Sequence, residues 1–367
     1  DIVTATKNHV SNLENKDFIA DLEKVVAKSE GAIELSMLSP GGDMPAVSLT
    51  KEKDVLTCRE FSGKIDRSWR VSSYSYLVSH QQSSTDLPDH DIHLHAKKTS
   101  PSLQAVKGES PDSSFGENTD RRNIFTFPKG ARSGIFFHDI FENFDFTNRD
   151  PDYSNQIISS KLREYGYDPV WKSVIHIALD NVFSVPLPAE NSVLTLSSVT
   201  PAQRINEMEF YFPVKPFTAT ELHSIFKNYT GAGIPYSFPL RLENLTITPS
   251  RGFLKGYIDM VFEHQDRFYI LDWKSNHLGN RVEDYDRENI NQVMDTEYYI
   301  LQYCLYTVAF NRYVRTRKPD YRYEKDFGGV FYIFIRGMNA EYGLQYGIDH
   351  AIPDARLVWE LDRKLIT

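Results

Sequence analysis

Three charged side chains in the apolar stretch 256–274 have a spacing that could bring them onto one surface. The stretch reads as two β-strands rich in Tyr, Ile, Val, Phe and Trp, joined by a short polar segment. If the tight turn is centred on 265–266, Asp259 lies directly opposite Asp272, and directly opposed residues of an antiparallel pair point to one face. Lys274 lies two residues beyond Asp272 and shares that face. One hairpin is therefore predicted to hold two carboxylates and an ammonium group together.

This arrangement predicts a metal-dependent hydrolytic site. Two carboxylates held close together raise each other's pKa, and burial adds to the cost. A divalent cation removes the repulsion, and an incomplete set of oxygen ligands suits Mg²⁺, which keeps several waters and binds substrate phosphate. Lys274 can then orient or deprotonate an attacking water, or neutralise charge in the transition state. Metal-assisted phosphodiester hydrolysis fits this set best; the alternative is a solvated hairpin with a cross-strand salt bridge.

Two other segments place polar residues beside apolar stripes. The segment 134–146 has the periodicity of an amphipathic helix, and His138 flanks its apolar stripe, where a lone histidine is usually structural. The segment 207–212 alternates like a strand, with Glu207 and Glu209 on the same face. Alternation cannot choose between the two glutamates, and a solvated outer face competes as an explanation for Glu207.

A long aromatic-rich helix is predicted over 287–316. Gln302 and Tyr306 are four residues apart and share a face, although an aromatic core helix would explain the surrounding pattern without any function. A basic cluster at the end of this helix either caps the helix dipole or contacts phosphate, and the sequence leaves both open. The cluster consists of Arg312, Arg315, Arg317 and Lys318.

Composition limits the class of protein. The chain has 367 residues, with 41 Lys and Arg against 50 Asp and Glu, a net charge of −9, and 13% aromatic residues. This length allows one large domain plus a smaller piece. We find no apolar run of membrane-spanning length, no signal peptide and no phosphate-binding Gly-x-x-x-x-Gly-Lys-Ser/Thr loop. Cys58 and Cys304 are read as reduced thiols, so we expect a cytoplasmic protein without membrane contact.

Three regions are predicted along the chain, which we expect to be a piece of a longer protein. Residues 1–79 carry a helical pattern over 11–38 and a strand or short helix over 71–78. Residues 80–122 are rich in Ser, Pro, Asp and Gly and read as a flexible linker, whose three histidines we interpret as solvated. Residues 123–367 form the α/β domain, which ends in an amphipathic helix over 355–366. The three histidines are His90, His93 and His95.

Several motifs together resemble the RecB nuclease family, a branch of the PD-(D/E)xK, restriction-endonuclease-like nucleases. The central one is G-Y-I-D followed by Y-I-L-D-W-K-S-N-x-L-G within 256–279. The segment 300–306 is similar to the family's Q-x-x-x-Y helix, 327–337 to its late strand, and 134–138 to its early helix with a metal-binding histidine. The stretch 70–75 resembles the connection between helicase and nuclease parts. Ile258 stands where the superfamily pattern has proline, as is normal for this branch.

The resemblance implies a fold, an activity and a set of site residues. The fold is α/β, a restriction-endonuclease-like mixed sheet flanked by helices, with a small N-terminal helical remnant of a helicase region. The activity is that of a Mg²⁺-dependent deoxyribonuclease of the exodeoxyribonuclease V type, with Mn²⁺ as a substitute. Asp259 and Asp272 bind the metal, His138 completes its shell, Glu209 assists as the glutamate just before an aromatic residue, and Lys274 positions the water.

The resemblance also concerns the aromatic-rich helix and the partners. It places Gln302 and Tyr306 beside the active site, where they pack the helix on the sheet or touch the DNA backbone. The implied partners are DNA, RecC- and RecD-like subunits, and a helicase domain of the same longer chain. The implied process is double-strand break repair.

Overall fold

The structure is a computed structural model, and it describes residues 15–36, 63, 69–78, 122–189, 193–231, 233–247 and 249–366. The chain divides into two compact units, Asp1–Lys64 and Ile65–Thr367. In the first unit the predicted helical pattern is confirmed over α1, which runs from Asn15 to Lys28. No helix among the described residues is both long enough and apolar enough to cross a membrane.

A mixed sheet of six strands forms the centre of the second unit. Its long strand β3 pairs antiparallel with β2 along one edge, and with β1 and β4 at opposite ends of the other edge. The pairs β1–β3 and β4–β5 are parallel, whereas β3–β4 and β5–β6 are antiparallel. The strands are β1 Trp69–Ser72, β2 Arg204–Val214, β3 Arg251–His264, β4 Arg267–Lys274, β5 Phe327–Phe334 and β6 Ile348–Ala351.

The predicted hairpin is confirmed as β3–β4. His264 pairs with Arg267, and the two turn residues Gln265 and Asp266 have φ of 49° and 61°. Two consecutive residues in the left-handed region match the right-handed twist of the flanking strands, which is why such turns dominate tight hairpins. The turn therefore fixes the register of the hairpin from His264–Arg267 to Met260–Leu271.

Helices cover both faces of the sheet, which confirms the predicted α/β class. One hydrophobic cluster joins α9 to the side chains of β2, including Phe210, and a second joins α3, α4 and α5 to Trp273 of β4. Among the residues of this unit that the structure describes, the helices are α2 Tyr74–Val78, α3 Ala131–Asn143, α4 Pro151–Glu164, α5 Lys172–Ser184, α6 Ala219–Lys227, α7 Phe238–Leu242, α8 Arg287–Thr296, α9 Tyr299–Arg315, α10 Tyr323–Asp326 and α11 Ala355–Leu365. The architecture is consistent with a restriction-endonuclease-like fold.

The helix predicted over 287–316 is instead two helices. The first, α8, ends at Thr296, and the second, α9, begins at Tyr299. Tyr298 between them has a φ of 57°, which breaks the helical hydrogen bonding. In α9, 14 of the 17 residues are buried, so this helix is a core element, as the alternative interpretation of its sequence required.

The residues before the predicted linker belong to the sheet. Val71 of β1 pairs with Phe253 of β3, and the hydroxyl of Tyr74 donates a hydrogen bond to the carbonyl of Glu297 at 3.0 Å. Residues 69–78 thus pack within the second unit, whereas the sequence analysis grouped them with 1–68. The proposed linker lies outside the described residues except for Arg122, as do Cys58 and the three histidines. The domain boundaries remain a prediction, and Cys304 is a buried free thiol.

Candidate metal centre and active site

Asp259 lies at an irregular point of β3. Ile258 packs in the first hydrophobic cluster and Met260 in the second, although the two residues are only two positions apart. Side chains at positions i and i+2 of a regular strand share a face, so β3 must be locally distorted at Asp259. The peptide N–H of Trp273 donates a hydrogen bond to Oδ2 of Asp259 at 2.7 Å, where a regular ladder would use a backbone carbonyl. The distortion places the Asp259 carboxylate beside the end of β4, where it accepts the hydrogen bond from Trp273.

Glu207 lies opposite Asp259 on β2, and the backbone of β2 is also irregular there. The β2–β3 ladder is interrupted at Glu207, between the pairs Asn206–Met260 and Met208–Ile258. Glu207 has a φ of 49°, a conformation that is uncommon for residues other than glycine. Such strained residues cluster at functional sites, because the surrounding structure must stabilise them. The distortion turns the Glu207 carboxylate toward Asp259.

Helix α3 brings the third member of this group. One ligand atom each from His138, Glu207 and Asp259 lies within 4.8 Å of the others. Nδ1 of His138 is 3.5 Å from Oδ2 of Asp259. Helix α3 holds His138 in place because Phe136, Phe137, Ile140 and Phe141 are buried in the second hydrophobic cluster. One imidazole nitrogen and two carboxylates form a donor set that fits a divalent cation of the Mg²⁺ or Mn²⁺ type.

The charged groups of this cluster shift each other's pKa values. Burial disfavours the charged imidazolium of His138, but the carboxylates of Asp259, Glu207 and Asp272 outweigh burial and raise the pKa of His138 to about 9. Burial opposes ionisation of Asp259 as well, yet His138 and Lys274 together lower the pKa of its carboxyl. A protonated His138 thus supplies the positive charge that the two carboxylates need.

Asp272 and Lys274 form a second group at the end of β4. Oδ2 of Asp272 and Nζ of Lys274 are 2.6 Å apart, and only 2% of Asp272 and 5% of Lys274 is exposed. The ammonium also lies over the rings of Tyr299 and Tyr332, at 4.0 and 5.1 Å from their centroids. A buried ammonium needs such compensation, because losing its hydration is costly. Lys274 is thereby held in one position.

Gln302 and Tyr306 support this lysine. Oε1 of Gln302 accepts hydrogen bonds from Nζ of Lys274 at 3.1 Å and from the hydroxyl of Tyr332 at 2.8 Å. Nε2 of Gln302 donates to the hydroxyl of Tyr306 at 3.0 Å. Both residues therefore lie beside the candidate site, on the face of α9 that packs on the sheet.

A buried arginine joins the two groups through the backbone. Arg336 is 1% exposed and donates hydrogen bonds to the carbonyl of Ser275, directly after Lys274. It also donates to the carbonyls of Ile124, Phe127 and Pro128, in the segment that leads to α3. This contact fixes the helix that carries His138 relative to the strand that carries Lys274.

Comparison with known proteins identifies a family. No protein-family model matches the chain. The chain is 38% identical over 240 residues to the RecBCD enzyme subunit RecB of Escherichia coli K12, an alignment that covers 64% of this chain and 19% of that protein. It is 29% identical over 350 residues to RecB of Haemophilus influenzae, covering 95% of this chain and 28% of that protein. The chain is RecB-like over most of its length.

Similarity to RecB extends to distant bacteria. The chain is 28% identical over 302 residues to RecB of Mycobacterium tuberculosis, covering 76% of this chain and 26% of that protein. In each of these comparisons the chain spans less than a third of the RecB relative's length. The chain therefore corresponds to part of a RecB subunit.

The two glutamates of β2 have different surroundings. Glu209, which the resemblance selected, lies at an exposed position of β2, with Oε1 at 2.7 Å from Nζ of Lys255 and 3.0 Å from the hydroxyl of Tyr257. Glu207 is the glutamate beside His138 and Asp259. Simple alternation could not choose between the two glutamates, and no signal in the sequence revealed the left-handed backbone at Glu207.

The hairpin geometry departs from expectation in one further respect. The β3–β4 pairing extends from His264–Arg267 to Met260–Leu271 and does not include Asp259 and Asp272. Asp272 pairs instead with Tyr332 of β5. The metal-ligand group of His138, Glu207 and Asp259 does not contain Asp272, although the charge of Asp272 acts on His138. The role of Asp272 as a metal ligand remains a prediction.

The basic cluster at the end of α9 has protein partners. Arg312 forms an ion pair with Asp362 at 2.8 Å, and Arg315 lies over the ring of Trp359 at 4.6 Å. Arg317 and Lys318 lie over the rings of Tyr313 and Phe268, respectively. These contacts account for the four basic residues as packing near the end of the helix, without any contact to phosphate.

Proposed function

We propose that this RecB relative is a Mg²⁺-dependent deoxyribonuclease of the exodeoxyribonuclease V type. The observation that carries the proposal is the donor group of His138, Glu207 and Asp259 beside a buried ion pair of Asp272 and Lys274. A lysine placed next to a carboxylate metal site is the set expected for phosphodiester hydrolysis. A structural ion pair alone would not require a distorted glutamate and a histidine at the same place.

Each side chain has a role in this proposal. His138, Glu207 and Asp259 would hold the cation, and the second carboxylate oxygen of Asp272 would contribute to the same shell. When bound, Mg²⁺ supplies Lewis-acid stabilisation of the charge on the scissile phosphate. Lys274 orients the attacking water and balances negative charge in the transition state.

The supporting residues keep Lys274 ready for that role. Three kinds of contact restrain its ammonium: the carboxylate of Asp272, the amide oxygen of Gln302 and the ring of Tyr299. A group that is already positioned needs no reorganisation when charge develops, so its electrostatic contribution is large. Tyr306 acts one step further away, because it orients the amide of Gln302.

The relatives' names support a place in a larger assembly. RecB is named as a subunit of the RecBCD enzyme. We propose that this chain acts with RecC- and RecD-like subunits and with a helicase domain of the same longer chain, in double-strand break repair. A net charge of −9 is unfavourable for capturing DNA from solution, so delivery of a strand by a motor would raise its local concentration at the site.

The proposal is tested by assaying the chain on labelled single-stranded DNA with Mg²⁺, Mn²⁺, Ca²⁺ or excess EDTA. We expect cleavage with Mg²⁺ and Mn²⁺ to be at least about a hundredfold faster than with EDTA. Ca²⁺ should bind but support cleavage poorly, because its larger and looser shell misplaces the reacting groups. Undiminished cleavage in EDTA would rule out the mechanism, and absence of cleavage under every condition would favour a non-catalytic binding module.

A further inference from the structure

An aromatic row crosses the open face of β1, β3 and β2. The row consists of Trp69, Phe253, Tyr211 and Tyr257. Trp69 packs edge-on against Phe253 with ring centroids 5.9 Å apart, and Phe253 stacks on Tyr211 at 4.4 Å. Trp69 is 54% exposed and Tyr211 is 51% exposed. Large aromatic side chains are usually buried, so two that remain half exposed on either side of Phe253 indicate a binding surface.

The aromatic row continues into the candidate metal centre. Met208, Phe210 and Phe212 of β2 and Leu254 and Ile258 of β3 pack in the first hydrophobic cluster, so Tyr211, Phe253 and Tyr257 point to the opposite face. His138 reaches Glu207 and Asp259 from that same face, because the neighbouring side chains of α3 pack in the second cluster. Two residues of a strand span about 6.6 Å, so along β3 Tyr257 lies about 6.6 Å from Asp259 and Phe253 about 20 Å from it. The row therefore forms an approach of about 20 Å along one sheet face to the carboxylates.

A lysine and a cavity accompany the row. Nζ of Lys255 lies 5.3 Å from the ring centroid of Tyr257. A cavity of about 260 Å³ opens between β1 and β3, lined by side chains that include Ser73, Tyr76, Lys255 and Tyr257. Such a volume can hold a nucleotide base.

The carboxylate of Glu209 lies beside the row and would repel an anionic ligand. Its charge is balanced by Lys255, whose Nζ lies 2.7 Å from Oε1 of Glu209. Exposed Arg251 adds a further positive charge at the far end, where it pairs with Trp69 in the sheet register. Aromatic faces beside basic side chains are the combination that binds single-stranded nucleic acids, since bases stack on rings and phosphates meet Lys or Arg.

We propose that the aromatic row is a stacking platform for single-stranded DNA, which it guides to the carboxylates of Glu207 and Asp259. The inference rests on the proposed nuclease function and extends it to the strand that is cut. Unpaired bases expose the π-faces that the row requires, whereas the bases of a duplex are stacked on each other. Continuity with the metal centre favours a nucleic acid over a protein as the occupant.

The test uses Trp69→Ala and Tyr211→Ala, with Tyr236→Ala as the matched control. Tyr236 is 79% exposed and lines a different cavity, so its loss removes an even more accessible ring outside the row. Binding of a labelled 12-nucleotide single strand is measured by fluorescence anisotropy in Ca²⁺, and hydrolysis of a dinucleotide is measured in Mg²⁺. We expect each row variant to raise Kd roughly fivefold to a hundredfold, since a stacked base contributes about 1–3 kcal/mol.

Three readouts separate the outcomes. Dinucleotide hydrolysis should stay within about twofold of the wild type, and Trp69→Phe, which keeps a ring, should bind within about threefold. An unchanged Kd in both alanine variants would overturn the proposal. If the variants instead changed from oligomer to monomer and kept their DNA affinity, the row would be a protein interface and the proposal would also fail. Failure of the wild type to hydrolyse either substrate would instead reject the nuclease proposal, while the binding measurement would still decide the platform.

Discussion

We expect Asp259→Asn and Lys274→Met each to lower the rate of DNA cleavage by about a thousandfold or more. Asparagine keeps the size of Asp259 and its contact with the N–H of Trp273, but it removes a charged ligand from the group that includes His138. Without this charged ligand a bound cation is misplaced and loses several kcal/mol of charge stabilisation, and each 1.4 kcal/mol is a factor of ten. Methionine fills the space of Lys274 without its ammonium, so the water and the transition state lose their positive partner.

Single-turnover cleavage at saturating Mg²⁺ measures this effect, and thermal melting checks the fold. Glu263→Gln is the matched control for Asp259, because it makes the same change of charge in the same strand, at a residue paired with Phe268 outside the site. The control should cleave within about twofold of the wild type. Rates near wild type for either site variant would show that the catalytic groups lie elsewhere.

Glu207→Gln and Glu209→Gln should differ by about a hundredfold or more in cleavage rate. Both substitutions neutralise one carboxylate of β2, two residues apart, so they are matched in chemistry and in strand. Glu207 lies within 4.8 Å of the ligand atoms of His138 and Asp259, whereas Glu209 is paired with Lys255 and is exposed. We expect Glu207→Gln to lose at least about a hundredfold in rate and Glu209→Gln to stay within about threefold.

The Mg²⁺ dependence of these two variants adds a second readout. The concentration of Mg²⁺ that gives half the maximal rate should rise for Glu207→Gln and remain unchanged for Glu209→Gln, because only the first carboxylate is placed to hold the ion. The reverse order of the two variants would return the role to Glu209 and would mean that the distortion of β2 has another purpose.

Local pairing explains why the hairpin could be predicted from the sequence. A two-residue turn and two apolar strands determine the register near the turn, so His264 was correctly placed opposite Arg267. That register depends on contacts between residues close in the chain. The pairing could not be extended to Asp259, because the N–H of Trp273 binds the Asp259 side chain there instead of continuing the ladder.

Glu207 shows the limit of periodicity as a guide to the site. Regular alternation assumes one backbone conformation along β2, and the left-handed conformation at Glu207 breaks that assumption. The cause is tertiary, since the distortion lies where β2 meets β3 and α3. Similarly, the contact of Lys274 with Gln302 joins residues 28 positions apart, so it could be expected only from the resemblance to RecB.

The position of the bound cation tests the central claim most directly. Crystals grown or soaked with Mn²⁺ would be measured for anomalous scattering, which reports the ion independently of the protein coordinates. We predict one strong peak bounded by His138, Glu207 and Asp259, with Asp272 as a further ligand. A peak beside Glu209, or no peak near Asp259 at Mn²⁺ concentrations that support cleavage, would contradict the proposed metal centre.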